Sequence, residues 1–227
     1  MIEQAREAYK AGDFARAGEL YTALAEQDNV EALTTLGYMY QQGQGVAKDQ
    51  QKAHLLYLRA GEAGYAVAQY NLGVIYAHGI GVPVNDEEAF AWYLKAAEQN
   101  VIEAAFQVAL MYDSGNGTSQ DKTQAFAWYE KAAKMGHAEA MNSLGVIYQN
   151  GDGIEPDWHE AVMWYQLAAE RGNIKAMYNL GFMYDKGMGV PPDQDIALEW
   201  CRKAAFGGHI KAREIISRLQ QEGKIVF

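Results

Sequence analysis

The residue types able to carry chemistry in this chain are few, and their spacing argues against catalysis. Five histidines, His54, His78, His137, His159 and His209, are scattered with no His-Glu-x-x-His or comparable arrangement, so no helix face offers a metal two imidazoles. With Cys201 as the one cysteine, neither a Cys-rich zinc site nor an intramolecular disulfide can form. Cys201 falls on an apolar helical stripe, where a small buried hydrophobe is a better reading than a nucleophile. Gly-x-Gly runs such as Gly43-Gln44-Gly45 could cradle a phosphate. They lack a following Gly-Lys-Ser/Thr and a preceding strand, which makes them turns. Carboxylates are plentiful, yet no acid–base pair stands out. No catalytic residue, metal or cofactor is expected, and the chain reads as a non-enzyme.

Bulk properties narrow the partners. The 227 residues carry a formal net charge of −10, which disfavours nucleic acid or an anionic membrane and leans toward a basic partner. Simple solubility explains the same charge. No apolar run is long enough to span a bilayer, and the start, Met-Ile-Glu-Gln-Ala-Arg-Glu, has no signal-peptide pattern. A cytoplasmic location is the default expectation.

The elements that would position any site are set by a repeat. Ala32, Ala68, Ala104, Ala140, Ala176 and Ala212 recur every 36 residues, as do Tyr40, Tyr76, Tyr112, Tyr148 and Tyr184. Five units follow, at residues 30–65, 66–101, 102–137, 138–173 and 174–209. Each predicts two helices: Ala68-x3-Leu72-Gly73-x2-Tyr76 for the first and Ala89-x2-Trp92-Tyr93-x2-Ala96-Ala97 for the second. A Gly-x-Gly connector joins them. Its first glycine suits a left-handed helix end, whereas Gly37, Gly73, Gly145 and Gly181 correspond to Ala109 and therefore serve close packing. Asp49, Asn85, Asp121, Asp157 and Asp193 stand where N-caps belong. His137 and His209 hold equivalent positions just past a second helix, which points to a structural role. The Trp92-Tyr93, Trp128-Tyr129 and Trp164-Tyr165 pairs are expected to interlock as core. Residues 1–29 predict a shorter capping pair around Tyr9-x2-Gly12-Asp13-Phe14, and residues 210–227 a polar-faced terminal helix.

The series Ala-x3-Leu-Gly-x2-Tyr-x2-Gly-x-Gly-Val-x2-Asp-x2-Lys-Ala-x2-Trp-Tyr-x2-Ala-Ala, nearly whole in residues 68–97, resembles the Sel-like repeat (SLR) family, relatives of the tetratricopeptide repeat (TPR). The pair at 1–29 resembles an ordinary TPR unit. Departures are Val108-Ala109 for Leu-Gly, Thr118 for Val, and Cys201 where a tyrosine belongs. The resemblance implies an all-α, right-handed α/α superhelical solenoid of helix–turn–helix repeats, continuous as one domain. It implies a non-catalytic protein–protein interaction scaffold or adaptor, often bacterial. An immunity or inhibitor protein that neutralises a toxin, and less so a hydrolase, remain alternatives.

Repeat arrays bind along a face lined by first helices. Carrying over TPR-type positions by register places Thr34, Tyr70, Phe106, Asn142 and Tyr178 in one row. Tyr38, Val74, Leu110, Val146 and Phe182 form a second, and Gln41, Ala77, Asp113, Gln149 and Asp185 a third. The first two are apolar for a solvated face. Tyr38, Tyr70, Phe106, Leu110, Asn142, Tyr178 and Phe182 are the candidate contacts for a protein or peptide, with core packing the competing role. The fourth unit holds six acids against one base, Arg171, a net charge of −5. It could steer a basic partner or serve as a solvated edge.

Overall fold

The structure, a computed structural model, describes residues 1–225. Residues 226–227 of the expected terminal cap lie outside them. Among the described residues there are thirteen helices and no strand. They are α1 (Ile2–Lys10), α2 (Phe14–Ala25), α3 (Val30–Gln42), α4 (Gln50–Glu62), α5 (Ala66–His78), α6 (Asp86–Glu98), α7 (Ile102–Ser114), α8 (Lys122–Lys134), α9 (Ala138–Asn150), α10 (Trp158–Glu170), α11 (Ile174–Lys186), α12 (Gln194–Phe206) and α13 (Ile210–Gln221). The all-α repeat architecture expected from the periodicity is the one observed. The helices group into two compact units, Met1–Asp121 with α1–α7 and Lys122–Phe227 with α8–α13. The division falls in the connector of the third repeat.

Each connector is built the same way. The first helix ends on a left-handed glycine, as at Gly79 (φ 65°), and the N-cap residue of the second donates its backbone N–H to the carbonyl of the repeat tyrosine. Asn85 reaches Tyr76 O at 2.9 Å, and Asp157 reaches Tyr148 O at 2.8 Å. The cap side chain then accepts from the new helix: Asp49 Oδ1 from Lys52 N at 2.9 Å and Asp193 Oδ1 from Ile196 N at 2.9 Å. Orphan donors are satisfied at both steps. The second connector glycine is left-handed too, at φ 68° for Gly117, and has a further reason. A Cβ at Gly117 would lie 2.1 Å from the carbonyl oxygen of Asp86, so the backbone of the neighbouring repeat excludes any side chain there.

Within unit 1 the core is a run of small and aliphatic residues from Ala5 to Ile75, locked by Tyr21 and Tyr57. Consecutive repeats are tied by edge-to-face rings: His54 on Tyr76 and Phe90 on Tyr112. Within unit 2, Phe126 meets Tyr148 likewise. His54 thus takes the place of a phenylalanine, and burial lowers its pKa. His137 and His209 are N-caps, their Nδ1 atoms accepting from Ala140 N at 3.2 Å and Ala212 N at 3.3 Å.

The Trp–Tyr pairs divide in a way the spacing did not show. Tyr93, Tyr129 and Tyr165 are buried, as is Trp92 at 7% exposure. Trp128 and Trp164 are only half-buried. A lysine three residues on covers three of the four tryptophans at this repeat position: Lys95 over Trp92, Lys131 over Trp128 and Lys203 over Trp200. These rings close the helix surface through a cation–π contact while the tyrosine fills the interior.

Candidate functional site

In the first, second and fourth repeats the glycine four residues before the row-three position receives a tyrosine ring from the second helix. Added Cβ atoms at Gly73 and Gly145 would come within 2.4 Å of Tyr93 and 2.5 Å of Tyr165. The hydroxyl end is held by row three: Tyr57 donates to Gln41 Oε1 at 3.1 Å and Tyr165 to Gln149 Oε1 at 2.7 Å. Burial raises the pKa of Tyr57, Tyr93 and Tyr165 well above the ordinary phenol value. Gln41 and Gln149 are therefore engaged with their own repeat.

The seven candidate contacts occupy different environments. In unit 1, Tyr38 and Leu110 are exposed, at 43% and 37%. Phe106 is half-buried, and Tyr70 lies half-buried against Tyr93, ring centroids 5.7 Å apart. Burial, then the charge of Glu103, raises the Tyr70 pKa. In unit 2, Asn142 Oδ1 accepts from Asn179 Nδ2 at 3.1 Å, linking α9 to α11. Tyr178 stacks on the His209 ring at 4.3 Å, while Phe182 is 40% exposed.

Tyr178 and Phe182 are brought together on one cavity. It measures about 260 Å³ and is formed by α11, α12 and α13, with Asp185, Cys201, Ile215 and Arg218 among its lining. The Cys201 thiol is buried, its pKa raised by desolvation, and its S–H points to Ala212 O at 3.9 Å. A raised thiol pKa is the reverse of what activates a cysteine as a nucleophile. Asp185 is held below the usual carboxylate range by Lys186 and Gln194, whose nitrogens lie at 2.8 and 3.0 Å. No group of three or more His, Cys, Asp or Glu side chains among the described residues could hold a metal ion. The contributions of Ile215 and Arg218 were not anticipated from the sequence, and Asp185 was placed in the third row of the face without being a candidate contact. The available signal was Cys201 at a tyrosine position, which leaves a space.

Comparison with known families agrees with the repeat register. The Sel1 repeat matches residues 30–65, 66–101, 102–137, 138–173 and 174–209. The chain belongs to the Sel1 repeat family. A Sel1 repeat protein from Oxalobacter formigenes is 36% identical, with 97% of this chain and 88% of that one aligned at a TM-score of 0.88. A protective antigen of uropathogenic Escherichia coli strains displaying an SLR fold is also 36% identical at a TM-score of 0.88. The match covers 91% of this chain and 44% of the antigen's. An immunity protein from Pseudomonas aeruginosa, 21% identical with 91% and 83% of the chains covered and a TM-score of 0.52, shares the fold. No curated protein matches. Sel1 repeat proteins generally serve as protein-interaction scaffolds, and the fold is typically non-catalytic. No helix among the described residues is long and apolar enough to cross a membrane.

Proposed function

We propose that the chain is a non-catalytic adaptor that holds a protein or peptide partner against the first helices of its Sel1 repeats, anchored at Tyr178 and Phe182. The observation that carries this reading is the exposed Phe182 ring at the rim of an apolar cavity whose wall is Tyr178. A rigid aromatic beside a concave apolar space is the arrangement that concentrates binding energy at interfaces. Tyr38, Phe106 and Leu110 extend the same function to unit 1. Tyr70 and Asn142 contribute through their half-buried edges. The net charge of −10 and Asp185 at the cavity favour a basic partner over nucleic acid or membrane. The single cysteine, buried and free, suits a reducing, cytoplasmic setting.

A tagged pull-down from the native host tests the reading. Phe182→Asp places a charge where an apolar contact is needed, and capture of the partner should fall by at least about tenfold with the circular dichroism spectrum unchanged. Undiminished capture would remove the anchor. A captured enzyme silenced on binding would make the chain an inhibitor, in the manner of an immunity protein, acting through the same face.

A further inference from the structure

One position of the second helix carries tyrosine in four repeats, Tyr57, Tyr93, Tyr129 and Tyr165, and cysteine in the fifth, Cys201. At Tyr57, Tyr93 and Tyr165 the ring covers a glycine of the first helix (the third repeat carries Ala109 there), and at Tyr57 and Tyr165 the hydroxyl reaches a row-three glutamine one turn on. The fifth repeat keeps the glycine, Gly181, and offers an acceptor, Asp185, where the first and fourth have Gln41 and Gln149. Only the ring is missing. A Cβ at Gly181 would first meet Ala197 O at 3.0 Å, Cys201 N at 3.4 Å and Trp200 Cβ at 3.5 Å, with no ring atom among these nearest neighbours. The cavity of about 260 Å³ includes Gly181, Asp185 and Cys201 in its lining. Its rim residues Phe182 and Arg218 are exposed, so it can be entered from solvent.

We infer that this cavity receives the tyrosine side chain of a partner polypeptide, the ring lying over Gly181 and the hydroxyl donating to the Asp185 carboxylate. The partner supplies from outside what four sister repeats supply from within. The inference rests on α11 being part of the partner-binding face and adds the chemistry that the face accepts. Size supports one side chain: the volume lies below the roughly 300–1,000 Å³ of small-molecule and cofactor sites. Charge selects phenol over plain phenyl. Asp185 is held ionised by Lys186 and Gln194. A carboxylate accepts only and offers about four lone-pair sites; with Lys186 and Gln194 bound to it, this one can take a further O–H donor in a charge-assisted bond. Tyr178, fixed by its stack on His209, gives the entering ring a preformed aromatic wall.

The test uses the full chain, ¹⁵N-labelled, titrated with p-cresol, which is the tyrosine side chain itself, and separately with toluene. Saturable shifts of the Gly181, Asp185 and Cys201 amides with p-cresol are expected, and about tenfold weaker binding of toluene, the size of one lost hydrogen bond to a charged group. Cys201→Tyr fills the space with the chain's own ring and should abolish the p-cresol shifts while the spectrum stays folded. Asp185→Leu should bring p-cresol down to the level of toluene. The inference is overturned if wild type shows no saturable shift, if toluene binds as tightly as p-cresol, or if Cys201→Tyr binds p-cresol unchanged. Should Cys201→Tyr not fold, Asp185→Leu decides alone: a p-cresol preference that survives it removes the proposal. Partner capture separates the two readings. Capture lost in Phe182→Asp but intact in Cys201→Tyr leaves the adaptor standing and discards the tyrosine receptor.

Discussion

The fourth and fifth repeats have the same length, connector glycines and aspartate N-cap; their interiors exchange Ile147 for Met183, Val162 for Leu198 and, with the largest change of volume, Tyr165 for Cys201. In the fourth, Tyr165 is 1% exposed, its ring pressed on Gly145 and its hydroxyl on Gln149. In the fifth, no ring atom is among the nearest neighbours of Gly181, and Asp185 bonds to Lys186 and Gln194. One repeat closes its interior and the other opens it. The framework is set by backbone turns and caps common to both, whereas a cavity depends on the volume of a single side chain. A repeat array can therefore acquire a site at one address without altering its architecture.

The sharpest way to break that comparison is to exchange the residues. Tyr165→Cys should cost about 3–5 kcal/mol, the range for deleting a buried aromatic, read as a lower urea midpoint. It should also create a second cavity over Gly145. Cys201→Tyr should do the reverse and stabilise by about 0.5–2 kcal/mol through cavity filling. A neutral Tyr165→Cys would mean that the fourth repeat does not depend on its ring.

The paired glycines give a smaller, directional effect. Gly145→Ala pushes a methyl to within 2.5 Å of the Tyr165 ring, and overpacking of this kind costs about 1–3 kcal/mol. Gly181→Ala meets no ring, and its tightest neighbour is Ala197 O at 3.0 Å. Helix propensity favours alanine by about 1 kcal/mol, so its net cost should be well below that of Gly145→Ala. Equal losses in parallel denaturation curves would show that the rings do not distinguish the two repeats.

The smallest effect concerns the caps that start α11 and α13. Asn173 caps the first with Oδ1 on Ala176 N at 2.9 Å and does not titrate. His209 caps the second through Nδ1, which accepts only when unprotonated. Its pKa is lowered by burial and then by Lys211 and Lys175. The folded chain thus binds this proton less readily than the unfolded one. The cap's contribution is complete above the ordinary histidine value of about 6.5 and is lost as pH falls through the folded value. His209→Asn should therefore lose less stability than wild type between about pH 7.5 and 5, by about 0.5–1 kcal/mol. Parallel pH profiles would show that the cap does not titrate.

Much of the fold was legible because its causes are local. The aspartate and asparagine caps, the left-handed connector glycines and the Ala/Leu/Tyr stripe are requirements of the chain on itself, met within a few residues. They repeat every 36 residues wherever the chain needs them. The split at the Trp–Tyr pairs was not legible, since both residues are large and apolar. Which of them faces inward depends on the opposing helix, and Trp128 and Trp164 turn out half-buried. The candidate site was partly legible. Tyr178 and Phe182 were placed by register on one face of α11, but Asp185 belonged to a row with no assigned role. Ile215 and Arg218 come from the terminal helix.

By itself, then, the sequence determined the repeat, its helices and turns, and the absence of a tyrosine at residue 201. The tertiary structure decided what that absence becomes. A missing ring can be absorbed by collapse of its neighbours or persist as a space, and the outcome depends on how far they can move. Here α11 and α13 are tied by the Tyr178–His209 stack and α11 to α12 by the Asp185–Gln194 bond. The helices hold their spacing, and the cavity remains.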